Sequence, residues 1–283
     1  MKHLTKTLLA SCGVPVPEGR VVDSADDAWE AAEDIGLPVV VKPTDANHGR
    51  GVFADLKTRA EIEVAFAGAL EEGSEVMVER FIEGDEHRML VVGGKLVAIN
   101  KGFTAAVVGD GQSTIRHLID LQINSDPRRG EEEEFPMETL LLDREPIALH
   151  ELQRQGFTPE SVPPAGQEVL ILRHGNMAFD VTDDVHPDVA AAGVLAARIV
   201  GLDIAGIDLV TTDISKPLAE TRGAIVEVNA GPSLLMHLKP AAGKPRPAGQ
   251  AIVDHLFPSS HSGRIPVVGV LGRREPALLS SLI

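Results

Sequence analysis

Tyrosine is absent from this chain, tryptophan occurs once, and aromatics make up only 3% of it, so a platform for stacking nucleic-acid bases is not expected. Basic residues are scarce: 26 Lys and Arg stand against 42 Asp and Glu, for a net charge of −16. Gripping a phosphate backbone needs the opposite balance, so nucleic acid is not an expected partner. The single cysteine, Cys12, excludes an internal disulfide and a Cys-based zinc site. No apolar run reaches membrane length and no secretory signal is recognisable, so the expectations are no membrane partner and a cytoplasmic location. The G-x-x-x-x-G-K-[ST] pattern of a Walker loop is missing as well. What is present is an ordinary globular composition, 43% hydrophobic and 24% charged, in 283 residues, enough for one large or two modest domains. The acidic run Glu131-Glu132-Glu133-Glu134 reads as a solvated loop.

Against this background one stretch stands out. The β-rich run Val39-Val40-Val41-Lys42-Pro43 enters the loop Asp45-Ala46-Asn47-His48-Gly49-Arg50-Gly51. Lys42 supplies a point charge, and the glycines give backbone N–H groups that no Cβ shields. That layout can hold a polyphosphate, and it can equally be an ordinary strand and turn.

The flanking pattern gives an α+β organisation. A helix at 4–9 is closed by Gly13, and Ser24 is suited to cap a helix over 25–35 that stops at Gly36. A return strand near 52–53, a helix over 59–71 and a strand over 76–82 complete a β-α-β-β-α-β order, predicting a small antiparallel subdomain. Gly93-Gly94 between 89–92 and 95–98 predicts a hairpin. Residues 102–164 are polar, acidic and broken by Pro and Gly, with one helix near 113–123, and read as a surface insertion. A strand at 168–173 follows, then a helix over 187–200 whose apolar face carries Val189, Val194, Ala197 and Val200. Strands at 205–210 and 224–228 and a helix near 249–257 close the fold.

Two sets of residues could do chemistry with that loop. Asp208 lies within a strand, while Glu227 and Asn229, spaced by two, share one face of a neighbouring strand. Two carboxylates and an amide oxygen suit Mg²⁺, a hard cation with oxygen ligands; a solvated strand face is the alternative. The strand end Glu79-Arg80-Phe81-Ile82 could pair with a purine edge and Glu86 could accept from ribose hydroxyls, or both could belong to an exposed acidic turn. Lys2 and Lys6 on the first helix read as solvated.

The order and spacing of Lys2, Lys42 with its glycine loop, Glu79 to Ile82, Glu86, Asp208 and Glu227-x-Asn229 resemble the ATP-grasp superfamily. Within it the match is close to the ATP-grasp half of the cyanophycin synthetases, through Gly13-Val14-Pro15-Val16-Pro17, Asn47-His48-Gly49-Arg50-Gly51, Glu79-Arg80-Phe81-Ile82, His87-Arg88, Asp126-Pro127-Arg128-Arg129-Gly130 and Met236-His237-Leu238. The resemblance runs from residue 1 to about 270.

It implies an ATP-grasp domain over 1–258, with a lid subdomain at about 18–78 and the insertion at about 102–164. ATP and Mg²⁺ are the implied cofactors. Lys2, Lys42, His48, Gly49, Arg50 and Gly51 would hold the phosphates, Glu79, Arg80, Phe81 and Ile82 the adenine, and Glu86 the ribose. Asp208, Glu227 and Asn229 would carry the metal. Arg88 would orient the acceptor carboxylate, with Lys42 and His48 beside it in the catalytic set. The implied activity is a carboxylate–amine ligase working through an acyl phosphate, adding aspartate to a peptide's C-terminal carboxylate. Amino acid and peptide carboxylates would be the partners, and by analogy a homo-oligomer is a further expectation.

Departures from the family pattern fall on the substrate side. The stretch 173–180 is shorter than the family's glycine-rich loop, Leu235 stands where Arg is expected, and Asn100-Lys101-Gly102 replaces a more Arg-rich run. Residues 259–283 read as a linker and the start of a Mur-ligase-like segment, where Gly272-Arg273-Arg274-Glu275-Pro276 lacks the Gly-Lys-Thr of a working P-loop. Two alternatives accompany the leading reading. One is a dipeptide ligase of the bifunctional glutathione synthetase type, which 106–115 also resembles; the other is a module that binds nucleotide or peptide without turnover.

Overall fold

A computed structural model describes residues 2–45, 51–132, 134–173, 178–258 and 264, with Lys2 and His3 described by their backbone alone. The segment 46–50, residues 174–177 of the shortened loop, and the tail containing the degenerate P-loop therefore lie outside the described residues.

The N-terminal third contains helix α1 (Lys2–Ser11), strand β1 (Gly19–Val22), α2 (Ala25–Ile35), β2 (Val39–Pro43), β3 (Phe53–Leu56), α3 (Arg59–Glu72) and β4 (Val76–Arg80). Ser24 accepts from the Asp27 amide as expected, and the structure adds a reciprocal capping box of Thr58 with Glu61 on α3. The four strands form an antiparallel sheet in the order β1-β4-β2-β3. Small residues, Ala28, Ala32, Ala65 and Ala69, let α2 and α3 lie close on its apolar face against Val39, Val41 and Val78. Because side chains alternate along a strand, burying Val39, Val41 and Pro43 turns Val40 and Lys42 to the opposite face.

The central sheet is built from β5 (Asp85–Val92), β6 (Lys95–Lys101) and, after an intervening body, three later strands. That body holds β7 (Ala105–Val108), α4 (Ile115–Ile119), β8 (Arg129–Gly130), β9 (Met137–Glu138), α5 (Pro146–Arg154) and β10 (Glu168–Leu172). It is more than the surface elaboration expected at 102–164. Val107, Ile115, Leu118, Leu152, Val169 and Ile171 form a separate buried cluster beneath the β7–β10 pair. Its apolar residues are spread thinly over polar sequence, and α5, with Ala148 and Leu152 buried, is only 9 residues long, too short to stand out.

The remaining elements are β11 (Phe179–Asp180), α6 (Pro187–Val200), β12 (Ile204–Thr211), α7 (Leu218–Thr221), β13 (Ala224–Ala230), α8 (Leu235–Leu238) and α9 (Ala248–Leu256). The central sheet runs β11-β6-β5-β12-β13. Gly93 and Gly94, with φ of 55° and 73°, make the turn of the β5–β6 hairpin. α6 packs on one face of the sheet over Met89, Val91, Ile207 and Leu209. Its buried residues are Val189, Gly193, Ala196 and Ala197, so the contact face is rotated from the one expected, and Val194 and Val200 lie at its border. The rotation has a physical cause: Gly193 lies flush against Met89, where any side chain would have to displace the thioether. With one face committed to α6, residues 86, 88 and 90 of β5 and 206, 208 and 210 of β12 face the other way. Among the described residues no helix is long and apolar enough to cross a membrane.

Candidate active site

A cleft of about 870 Å³ opens where the lid sheet, the free face of the central sheet and the body at 105–172 meet. Lys42, Arg80, Phe81, Ile82, Glu86 and Arg88 line it, together with Glu79, Asp208, Glu227 and Asn229. Every described candidate from the sequence except Gly51 thus reaches one cavity, although they come from five strands and the turn after β4.

On the lid side, Glu79 is buried and receives two lysines. Lys42 Nζ stands 2.7 Å from one carboxylate oxygen, and Lys6 Nζ contacts the other. Burial works against the charge on Glu79, but the two ammonium groups outweigh it and hold the carboxylate below its usual range. For Lys42 burial is likewise outweighed, chiefly by Glu79, and its pKa is raised. Lys6 moves the other way, to about 7, because burial and the Lys42 charge together exceed the pull of Glu79. Lys42 and the partly protonated Lys6 around one carboxylate leave the wall net positive, which is what a polyphosphate requires. Lys6 is therefore not the solvated lysine expected, and Glu79 faces the lysines. The Arg80 and Phe81 amides are taken by the carbonyls of Glu18 (2.8 Å) and Pro38 (3.1 Å), so those two groups are not the ones to meet a purine edge.

On the sheet side the register draws a row across four strands: Asn100 opposite Arg88, Arg88 opposite Asp208, and Asp208 opposite Glu227. Arg88 grips Asp208 through Nε and through NH2 at 3.0 Å, and Asn229 Nδ2 donates to Asp208 Oδ2 at 2.9 Å. Burial, with Glu86 and Glu227 nearby and Arg88 opposing, pushes the Asp208 carboxyl up to about 7. Burial, reinforced by Glu227, also raises Glu86. Three carboxylates crowded into a buried place are what a divalent cation would relieve, and the Asn229 amide oxygen is an apt neutral ligand. The donor set therefore fits Mg²⁺. Among the described residues no three His, Cys, Asp or Glu side chains come together as a metal centre, so the fit rests on Asp208 and Glu227 with the Asn229 amide.

Behind Arg88 lies a pair the sequence did not single out. Asn100 Nδ2 donates to the Met236 carbonyl at 2.9 Å, which turns its Oδ1 to His237 Nδ1 at 2.6 Å. The histidine proton is thus on Nδ1, while Nε2 is buried with no partner among the described residues. Burial, then the Arg88 charge, brings His237 down to about 4. The folded state consequently binds this proton less tightly than the unfolded chain, and stability falls as pH drops from 6.5 towards 4. For a shift of this size the loss over that interval is about 2 to 3 kcal/mol. His237→Gln keeps the bond to Asn100 but removes the titration. Its denaturant-unfolding free energy should fall less over the same interval, by about that amount; an unchanged pH slope would refute the assignment.

Lys2 by its side chain, and His48, Gly49 and Arg50 altogether, lie outside the described residues. Gly51 has φ of 68°, and a Cβ there would stand 3.0 Å from Glu72 Cβ, so this end of the loop needs glycine. Met236, not Leu235, lines the cleft. The third wall was missed from sequence: Arg129, Glu138, Glu145, His150, Glu151 and Arg154 all reach the cavity.

Comparison with known proteins gives a consistent result. The family model for the ATP-grasp domain matches residues 1–88. Over its whole length the chain is 45% identical to cyanophycin synthetase of Trichormus variabilis, covering 32% of that protein. It is 44% identical to cyanophycin synthetase of a Synechocystis species, covering 33% of it. The chain thus spans about a third of the length of the curated relatives it matches. Among solved structures, a bifunctional glutathione synthetase from Pasteurella multocida aligns with 91% of this chain and 36% of its own, at a TM-score of 0.55 and 30% identity.

Proposed function

This chain belongs to the ATP-grasp superfamily, and from that premise we propose that it is an ATP-dependent carboxylate–amine ligase that joins its substrates through an acyl phosphate. The observation that carries this reading is the single cleft in which Lys42 and Glu79 face Arg88, Asp208, Glu227 and Asn229. In the first step an acceptor carboxylate oxygen attacks the γ-phosphorus of ATP and ADP leaves. In the second an amine attacks the acyl carbon, phosphate departs and the nitrogen gives up a proton.

Nothing here requires a covalent enzyme nucleophile; the work is positioning and charge neutralisation. Lys42, anchored by Glu79, presents its charge to the phosphates. Bound at Asp208, Glu227 and Asn229, Mg²⁺ would offset the negative charge on the transferring phosphoryl group. Arg88 engages Asp208 through Nε and NH2, so its remaining nitrogen is the one turned to the acceptor carboxylate. His48 and Arg50 would join the phosphates from the loop, and Lys2 from α1.

The similarity to cyanophycin synthetases favours a peptide C-terminal carboxylate as acceptor and aspartate as donor. A dipeptide ligase is the second reading, favoured by the likeness to the bifunctional glutathione synthetase. The turn Gly109-Asp110-Gly111 does not decide between them. Asp110 there accepts the amides of Gln112 (2.8 Å) and Ser113 (2.6 Å), and the turn is not among the residues lining the cleft. Phosphate release from ATP and Mg²⁺ on a panel of free amino acids and short Asp-containing peptides separates the readings. Extension of the peptides supports the first, and joining of two free amino acids the second. Binding of ATP with no turnover on any of them would overturn both.

A further inference from the structure

Strand β3 is the edge of the lid sheet, and it is irregular. Val39 pairs with Leu56 and Val41 with Phe53, so two steps along β2 are matched by three along β3. The extra residue makes a bulge at Ala54 and Asp55, and Asp55 takes a φ of 59°, which a residue with a side chain seldom adopts. A bulge on an edge turns carbonyls away from the ladder, and here one side chain from outside the lid collects both. Arg154, at the end of α5, donates through NH1 to the Ala54 carbonyl at 3.0 Å and through NH2 to the Asp55 carbonyl at 2.9 Å.

The rest of the cluster points the same way. Arg154 Nε reaches Glu61 Oε1 at 3.3 Å, while the other Glu61 oxygen caps α3 by accepting from the Lys57 and Thr58 amides, each at 2.9 Å. Arg173 stands 3.1 Å from the Asp55 carboxylate, and Glu151 accepts from both Arg154 and Arg173 at 3.3 Å. One turn back along α5, His150 meets the Phe53 ring edge-on, with centroids 4.6 Å apart. Three consecutive residues of β3 are therefore held by one face of α5, and Phe53, Ala54, Arg154 and Arg173 all line the cleft.

We propose that Arg154 is a positioning residue for the nucleotide: its fork fixes the bulged edge strand, and so holds Phe53 and Ala54 in place where they line the cleft. Arg173 ties the end of β10, from which the shortened acceptor-side loop leaves, to the same Asp55. The body at 105–172 thereby does more than wall the cleft; it registers the lid against it. The inference rests on the nucleotide site proposed above.

The test compares the wild type with Arg154→Ala and Arg154→Lys. Lysine keeps the charge but cannot span two carbonyls as a planar fork does. Hydrogen exchange of the 51–57 amides and binding of AMPPNP with Mg²⁺ are measured on the full chain. The expected result is exchange at 51–57 faster by about 10-fold in both variants, with the central-sheet amides unchanged, and AMPPNP affinity weaker by about 10-fold. Unchanged exchange overturns the clamp. Faster exchange with unchanged affinity overturns its role in nucleotide binding, as does full recovery of affinity by lysine. Wild type that fails to bind AMPPNP overturns the nucleotide site itself, a failure distinct from either result in the variants.

Discussion

Lys42→Ala is expected to lower ATP-dependent phosphate release by about 10³-fold or more, with the protein still folded. The argument is electrostatic. Lys42 lies on the cleft face of β2 because Val39 and Val41, which alternate with it along the strand, are committed to the lid core. Its ammonium is held at 2.7 Å from Glu79, and Glu79 is fixed by β4 and shared with Lys6. Removing Lys42 takes a preorganised charge from where phosphoryl charge develops, while Glu79 keeps one cation and is not left bare in the interior. Circular dichroism and a denaturation midpoint near the wild-type value would show that the loss is chemical. Activity within about 10-fold of wild type would mean that Lys42 does not touch the phosphates.

Asp208→Asn is the second large effect. The substitution keeps shape and the amide contact to Asn229 but removes one of the two carboxylates proposed to hold Mg²⁺. A titration of phosphate release against Mg²⁺ should shift to higher concentration by about 10- to 100-fold, with residual activity recovered at high Mg²⁺. Arg88 would also lose its carboxylate partner and regain freedom to move, so the apparent KM for the acceptor is expected to change along with the metal dependence. Asn229→Ala should act in the same direction, since it removes the neutral ligand. An unchanged Mg²⁺ titration in either variant would remove these residues from the metal site.

Much of the lid was legible because its signals are local. Ser24 and Gly36 fall at the ends of α2 and act through backbone groups a few residues away. Lys42, Asp208, Glu227 and Asn229 were legible for a related reason: strand alternation decides which face a residue takes, and polar residues interrupting apolar strands mark that face. Lys6 was not, because the partner that buries it, Glu79, is 73 residues away. Asn100 and His237 form a pair 137 residues apart and carry no spacing that would announce it. The cleft wall at 105–172 failed for a third reason. Its core is assembled from single apolar residues between prolines, glycines and acids, and α5 with its Arg154 is only 9 residues long, too short a run to stand out.

The central claim, that this cleft makes an acyl phosphate, is tested most directly by isotope transfer. An acceptor carboxylate labelled with ¹⁸O, chosen from the turnover panel, is incubated with ATP, Mg²⁺ and the amine, and the released phosphate is analysed by mass. The account predicts one ¹⁸O atom carried from the carboxylate into inorganic phosphate for each bond formed. Label found in AMP instead, or bond formation that leaves phosphate unlabelled, would contradict it.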